Sequence, residues 1–166
     1  MTMPGYVNEV YILITVAISM YLYKVLPRKF PFPIFVLNFV FSISIGLSAD
    51  HLIATKPFEL YDVNDTSNVE LVDIAYYSMY GFSGYFFLYA YEHFRIRGLF
   101  IILYILLWSV FSVFYEWIAM LVGIFDYSKG YEIKYSFPVY LYSQSLYILF
   151  YLFIKKEYQA TRRKYL

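Results

Sequence analysis

Five stretches of this chain contain no Asp, Glu, Lys or Arg: residues 10–23, 30–49, 74–91, 98–115 and 135–154. A helix rises about 1.5 Å per residue, so about 20 apolar residues cross the roughly 30 Å of hydrocarbon in a bilayer. Four of the stretches approach or reach that length. The first is short, but Glu9 and Lys24 flank it and long charged side chains extend a span by reaching back to the headgroups. The fourth is expected to run on through Glu116, because residues 117–125 are apolar again. Inside lipid each backbone N–H and C=O needs a partner within the segment, which makes helix the state expected for such runs. None of them alternates in the way a β-barrel strand does. The expected fold is therefore all-α: a polytopic membrane protein, one bundle of five transmembrane helices over about 6–25, 31–53, 71–92, 97–125 and 135–155, forming a single domain over 1–166.

The connections are short. Pro27, Pro31 and Pro33 punctuate the first. The longest, 55–70, contains Pro57 and the run Asp62-Val63-Asn64-Asp65-Thr66-Ser67-Asn68, which is turn chemistry. Gly130 is the expected turn of the last, 126–134. The segment 1–23 has no Lys or Arg, so it is expected to be a retained helix rather than a cleaved signal.

Ten of the thirteen basic residues fall on one side of this topology: Lys24, Arg28, Lys29, Arg95, Arg97, Lys155, Lys156, Arg162, Arg163 and Lys164. The other side has Lys56, Lys129 and Lys134 among seven carboxylates. Positive charge is retained on the cytoplasmic face, which predicts the N-terminus outside and the C-terminus in the cytoplasm. Arg162, Arg163 and Lys164 are expected to rest on anionic headgroups, at about 1 kcal/mol per charge.

Hydrophobic residues make up 61% of the 166 and charged residues 15%, too apolar for a water-facing surface. The net charge of +1 provides no field to recruit nucleic acid. The absence of Cys removes disulfides and thiolate metal sites. Neither nucleotide-binding glycine motifs nor metallohydrolase or nucleophile-elbow motifs occur, so no cofactor and no metal is expected.

Glu116 is the leading candidate for chemistry. It lies 19 residues beyond Arg97 and 10 before Asp126, which puts it within the hydrocarbon, where a charge costs about 2.5–3.5 kcal/mol and faces the bundle interior. Ser109 and Ser112, seven and four residues earlier, share its face. Two readings stay open: a proton carrier, cation ligand or catalytic carboxylate, or a protonated Glu bonded across a helix interface. Asp50 and His51 at the end of the second span and Asp73 at the start of the third are expected near it, as acid/base or cation-binding partners or as plain interfacial charges. His93 belongs to the opposite side. Tyr140, Ser143, Gln144 and Tyr147 are spaced on one face of the fifth span, and Ser78, Gly81 and Gly84 give the third a small-residue face for close packing.

The segments Phe114-Tyr115-Glu116-Trp117-Ile118 and Gly123-Ile124-Phe125-Asp126-Tyr127, with Tyr91-Glu92-His93-Phe94 and Tyr135-Ser136, resemble uncharacterised small five-helix membrane proteins of Bacillus and related spore-forming Firmicutes. The resemblance implies a bacterial plasma membrane and carries no reaction. The functional expectation is a non-enzymatic membrane protein acting through sensing, protein partners, homo-oligomers or membrane-associated assembly. A membrane-embedded enzyme acting on a lipid or isoprenoid with Glu116 as acid/base, and a small transporter or ion pathway using Glu116, remain the alternatives.

Overall fold

A computed structural model of the chain describes residues 6–54, 60–63 and 71–165, with side chains at 6–53, 60 and 74–163. Five long helices carry the fold: α1 (Tyr6–Val25), α2 (Phe32–Ala54), α3 (Leu71–His93), α4 (Phe100–Leu121) and α5 (Ser136–Tyr165). Four of them, α1, α2, α4 and α5, are long and apolar enough to cross a membrane, with mean hydropathy between 1.3 and 1.9. Among the described residues α3 falls outside that group. Its six tyrosines (Tyr76, Tyr77, Tyr80, Tyr85, Tyr89 and Tyr91) lower its hydropathy. The reason is its position: α3 packs against α1, α2 and α5, and Tyr76, Tyr85, Phe87, Leu88, Tyr89 and Tyr91 are all buried. A helix wrapped by other helices can hold hydroxyls that a lipid-facing one cannot.

Consecutive helices run back and forth. Tyr23 at the end of α1 stacks on Phe35 near the start of α2 and meets the edge of Tyr85 late in α3. Lys155 late in α5 bridges Glu92 at the end of α3 over 2.6 Å. Pro31 and Pro33 suit the start of α2, where the missing N–H is an orphan anyway. The Pro31 carbonyl takes the first helical bond from Phe35 N at 3.0 Å.

Glycines let α2 and α3 touch. A Cβ on Gly84 would lie 1.8 Å from Ser42 Oγ, and one on Gly81 2.5 Å from the Phe39 ring. The small-residue face of the third span therefore seats α2.

The fourth helix stops at Leu121, four residues short of the expected end. Gly123 adopts φ +82, a left-handed backbone that glycine enters without steric cost. Its N–H bonds Met120 O at 3.0 Å and Ile124 N bonds Ala119 O at 3.0 Å. These are the two reversed bonds of a Schellman cap, sealed by the buried pair Ala119 and Ile124. The start is also later than expected, at Phe100 rather than 97, because Arg95 and Gly98 have positive φ and a helix cannot run through them. The fifth helix runs past 155 to Tyr165.

The connection 55–70 is not all turn. Residues Tyr61–Val63 form a strand, β1, paired antiparallel with β2 (Phe125–Tyr127) in the register Tyr61 to Tyr127, Asp62 to Asp126 and Val63 to Phe125. Leu60 extends the tie, donating from N to Ile53 O at 3.0 Å and accepting from Ser128 N at 2.8 Å. The chain then turns at Ser128–Tyr131, with Tyr131 N on Ser128 O at 2.9 Å and positive φ at Lys129 and Gly130, as a type I′ turn requires. The ribbon lies at the end of the bundle where α2 and α4 finish and α3 and α5 begin.

Candidate functional site

Beneath that ribbon, between α2, α3, α4 and α5, is a cavity of about 80 Å³. About 10–15 Å³ suffices for one water, so it holds a few waters or one small polar group. Asp50 and Glu116 line it, and no Lys, Arg or His does among the described residues. Its floor is formed by Phe87, Trp108 and Tyr147. Beyond the floor, Phe30, Ile34, Tyr85, Leu88, Tyr151 and Ile154 belong to the packed core that closes the bundle toward the basic end.

Glu116 is 6% exposed. Its Oε1 accepts from Tyr127 Oη at 2.5 Å and from Ser136 Oγ at 2.7 Å. Tyr131 Oη lies 3.0 Å from Ser136 Oγ. Ser136 has already given its one proton to Glu116, so Tyr131 is the donor. Glu116 Oε2 is buried and has no hydrogen-bond partner among the described residues. Tyr140 interacts with the carboxylate electrostatically and as a near hydrogen-bonding neighbour, but no bond of ordinary geometry reaches Oε2 among the described residues. Two donors thus reach one oxygen of Glu116, and the other has no partner of ordinary geometry among the described residues.

Outside the helices, burial raises the Tyr127 phenol above its ordinary range, and its bond to Glu116 raises it further. Burial likewise raises Tyr131. Both therefore stay protonated, and act as donors, at neutral pH.

Asp50 enters from α2. Its Oδ2 accepts from Tyr80 Oη at 2.7 Å, and Tyr80 Oη is 2.5 Å from Tyr76 Oη. With the Tyr80 proton directed at the carboxylate, Tyr76 donates to Tyr80. Gly46, one turn before Asp50, makes this possible: a Cβ there would lie 2.5 Å from the Tyr80 ring. Two relays of hydroxyls, Tyr76–Tyr80–Asp50 and Tyr131–Ser136–Glu116, thus end on two carboxylates that line one cavity.

A second polar layer lies deeper. Ser109 Oγ donates to Gln144 Oε1 at 2.7 Å, and Gln144 Nε2 donates to Ser112 Oγ at 3.0 Å. This links the serine stripe of α4 to the polar face of α5, whose Tyr140, Ser143, Gln144 and Tyr147 all line the cavity. Asn38 Oδ1 is the other buried side-chain oxygen without a partner among the described residues, and it does not line the cavity.

Of the residues expected around Glu116, Asp50 shares its cavity. His51 does not: its side chain is exposed and outside the lining, because successive residues on a helix point about 100° apart. Asp73 lies in α3, with its side chain outside the described residues. His93 stacks on Tyr89 at 5.7 Å at the opposite end. Arg162 and Arg163 are exposed near the end of α5, and the Lys164 side chain lies outside the described residues. Among the described residues no three His, Asp or Glu side chains gather as a metal site would need.

The sequence did not single out Tyr76, Tyr80, Tyr127, Tyr131, Ser136 or Gly46. A signal existed for three of them. Tyr76 and Tyr80 are one turn apart on α3, and Gly46 is one turn before Asp50. Tyr127 and Ser136 meet Glu116 only through the turn after α4, which no local pattern encodes. No family model, curated protein or solved structure matches the chain.

Proposed function

We propose that the chain is a five-span protein of a bacterial plasma membrane, with the N-terminus outside, in which the cavity around Glu116 opens toward the outer face and senses a small polar ligand. In this reading α3 is the fifth span, an inner helix that need not match the apolarity of the others. The protein acts without catalysis: occupancy of the cavity alters the outer ends of α2 and α4, and a protein partner or second copy reads the change. One observation supports it most: Glu116, whose Oε2 is buried without a hydrogen-bond partner among the described residues, borders a cavity that no basic side chain lines among those residues. The packed core below the cavity argues against a path through the protomer, and so against a one-protomer channel.

A second reading, a membrane-embedded acid/base catalyst on a lipid or isoprenoid, rests on the Tyr131–Ser136–Glu116 relay, which could return a proton to a general acid. Accessibility tests the leading proposal. The chain has no Cys, so single cysteines report cleanly. Ser143→Cys, in the lining, should react with a small impermeant thiol reagent added outside intact cells. Leu88→Cys, in the packed core, should not react. Modification of Ser143→Cys only from the cytoplasmic side would overturn the reading.

A further inference from the structure

From the donors and acceptors of the cavity we infer its ligand class: a small ammonium group, held by Glu116 Oε2 and faced by Asp50 and by tyrosine rings. The inference deepens the proposed sensing site and rests on that reading.

Glu116 is more than nine-tenths buried and borders the cavity, and its Oε2 lacks a hydrogen-bond partner among the described residues. Its other oxygen is held by Tyr127 and Ser136, so the side chain is fixed rather than free to seek water. Asp50, a second carboxylate, borders the same space, and no Lys, Arg or His does among the described residues. A space of this polarity takes a positive group that donates hydrogen bonds. The rest of the lining narrows the choice. Tyr80, Tyr131, Tyr140 and Phe125 contribute aromatic surface, and ring faces attract alkylammonium groups. A hard divalent cation takes six to eight oxygens with several carboxylates, whereas the described residues bring no three acidic or imidazole groups together. The volume of about 80 Å³ admits an ammonium with a few carbons together with waters.

Such a group could arrive as a free amine or as the headgroup of an aminophospholipid. The test uses the purified full chain in detergent, where access from either face is equal, so failure here is distinct from failure of the accessibility test. Methylammonium chloride should raise the melting temperature saturably at constant ionic strength, and sodium chloride should not. Glu116→Gln should weaken the apparent affinity at least tenfold and Asp50→Asn measurably. Glu132→Gln, at an exposed ion pair with Lys134, should leave it unchanged. Circular dichroism establishes that each variant is helical before titration.

Repeating the titration in nanodiscs separates the sources. Weaker methylammonium binding in discs containing phosphatidylethanolamine than in phosphatidylglycerol discs indicates a headgroup competitor, and equal binding indicates a free amine. The inference is overturned if methylammonium gives no saturable shift with folded wild type, if sodium matches it, or if Glu116→Gln binds as well as wild type. It is overturned equally if the stability depends on pH through Glu116 but not on ammonium, since the site then holds only a proton.

Discussion

A single oxygen, Glu116 Oε1, carries two hydroxyl bonds, and this decides what substitutions there should do. Glu116→Gln keeps an acceptor of the same shape, so melting in detergent should stay close to wild type. Glu116→Leu strands the Tyr127 and Ser136 hydroxyls in a buried site and should cost about 1–3 kcal/mol. Equal melting of the two variants would refute the bonding described. Tyr127 makes a second prediction. Its phenol is raised in the folded state by burial and then by Glu116, whereas the unfolded chain titrates near 10. The folded state therefore binds the proton more tightly above that pH, so this contribution is complete below about pH 10 and is lost as pH rises beyond it. Tyr127→Phe should lower stability at pH 7 by about 1 kcal/mol for the lost bond and make the alkaline decline shallower. A pH series of melting curves checks both.

Helices were the legible level, and their limits show why. The expected spans 6–25, 31–53 and 71–92 match α1, α2 and α3 to within a residue at each end, although the charge-free runs fall short of the helix ends by up to five residues. The expected end of α4 at 125 overshoots Leu121 because Ile124 and Phe125 continue the apolar pattern. Gly123 is the stop signal, and the Schellman cap buries Ile124 and partly buries Phe125 in the protein. Three-residue strands such as Tyr61–Val63 are too short for any periodic signal. The polar faces of α4 and α5 were legible from spacing alone, but their convergence with Tyr80 and Tyr127 depends on tertiary packing. The α2–α3 contact is sensitive to volume. Gly84→Ala would set a methyl against Ser42 Cβ at 2.6 Å, and overpacking of this kind costs about 1–3 kcal/mol. A melting shift within error of wild type would show that the helices stand further apart than described.

At the scale of the whole molecule the two ends of the bundle differ in chemistry. One has the cavity, two carboxylates and the ribbon, and the other the aromatic core and the Glu92–Lys155 bridge. The charge asymmetry of the loops predicts how these ends face. A cysteine at Asn64, a position outside the described residues, should label from outside intact cells, and one at Lys164 should not. Labelling of both from one side would exclude five spans. The β1–β2 ribbon also has a consequence for biosynthesis. Its strands are separated by 61 residues from Val63 to Phe125, so at about 5–20 residues per second β1 waits on the order of several seconds for its partner. Glu116 likewise precedes Tyr127 by 11 residues and Ser136 by 20, and enters the membrane ahead of both hydroxyls that hold Oε1. The hydroxyls that hold Glu116 are thus made after the helix that carries it, and the ribbon closes only once β2 has been synthesised.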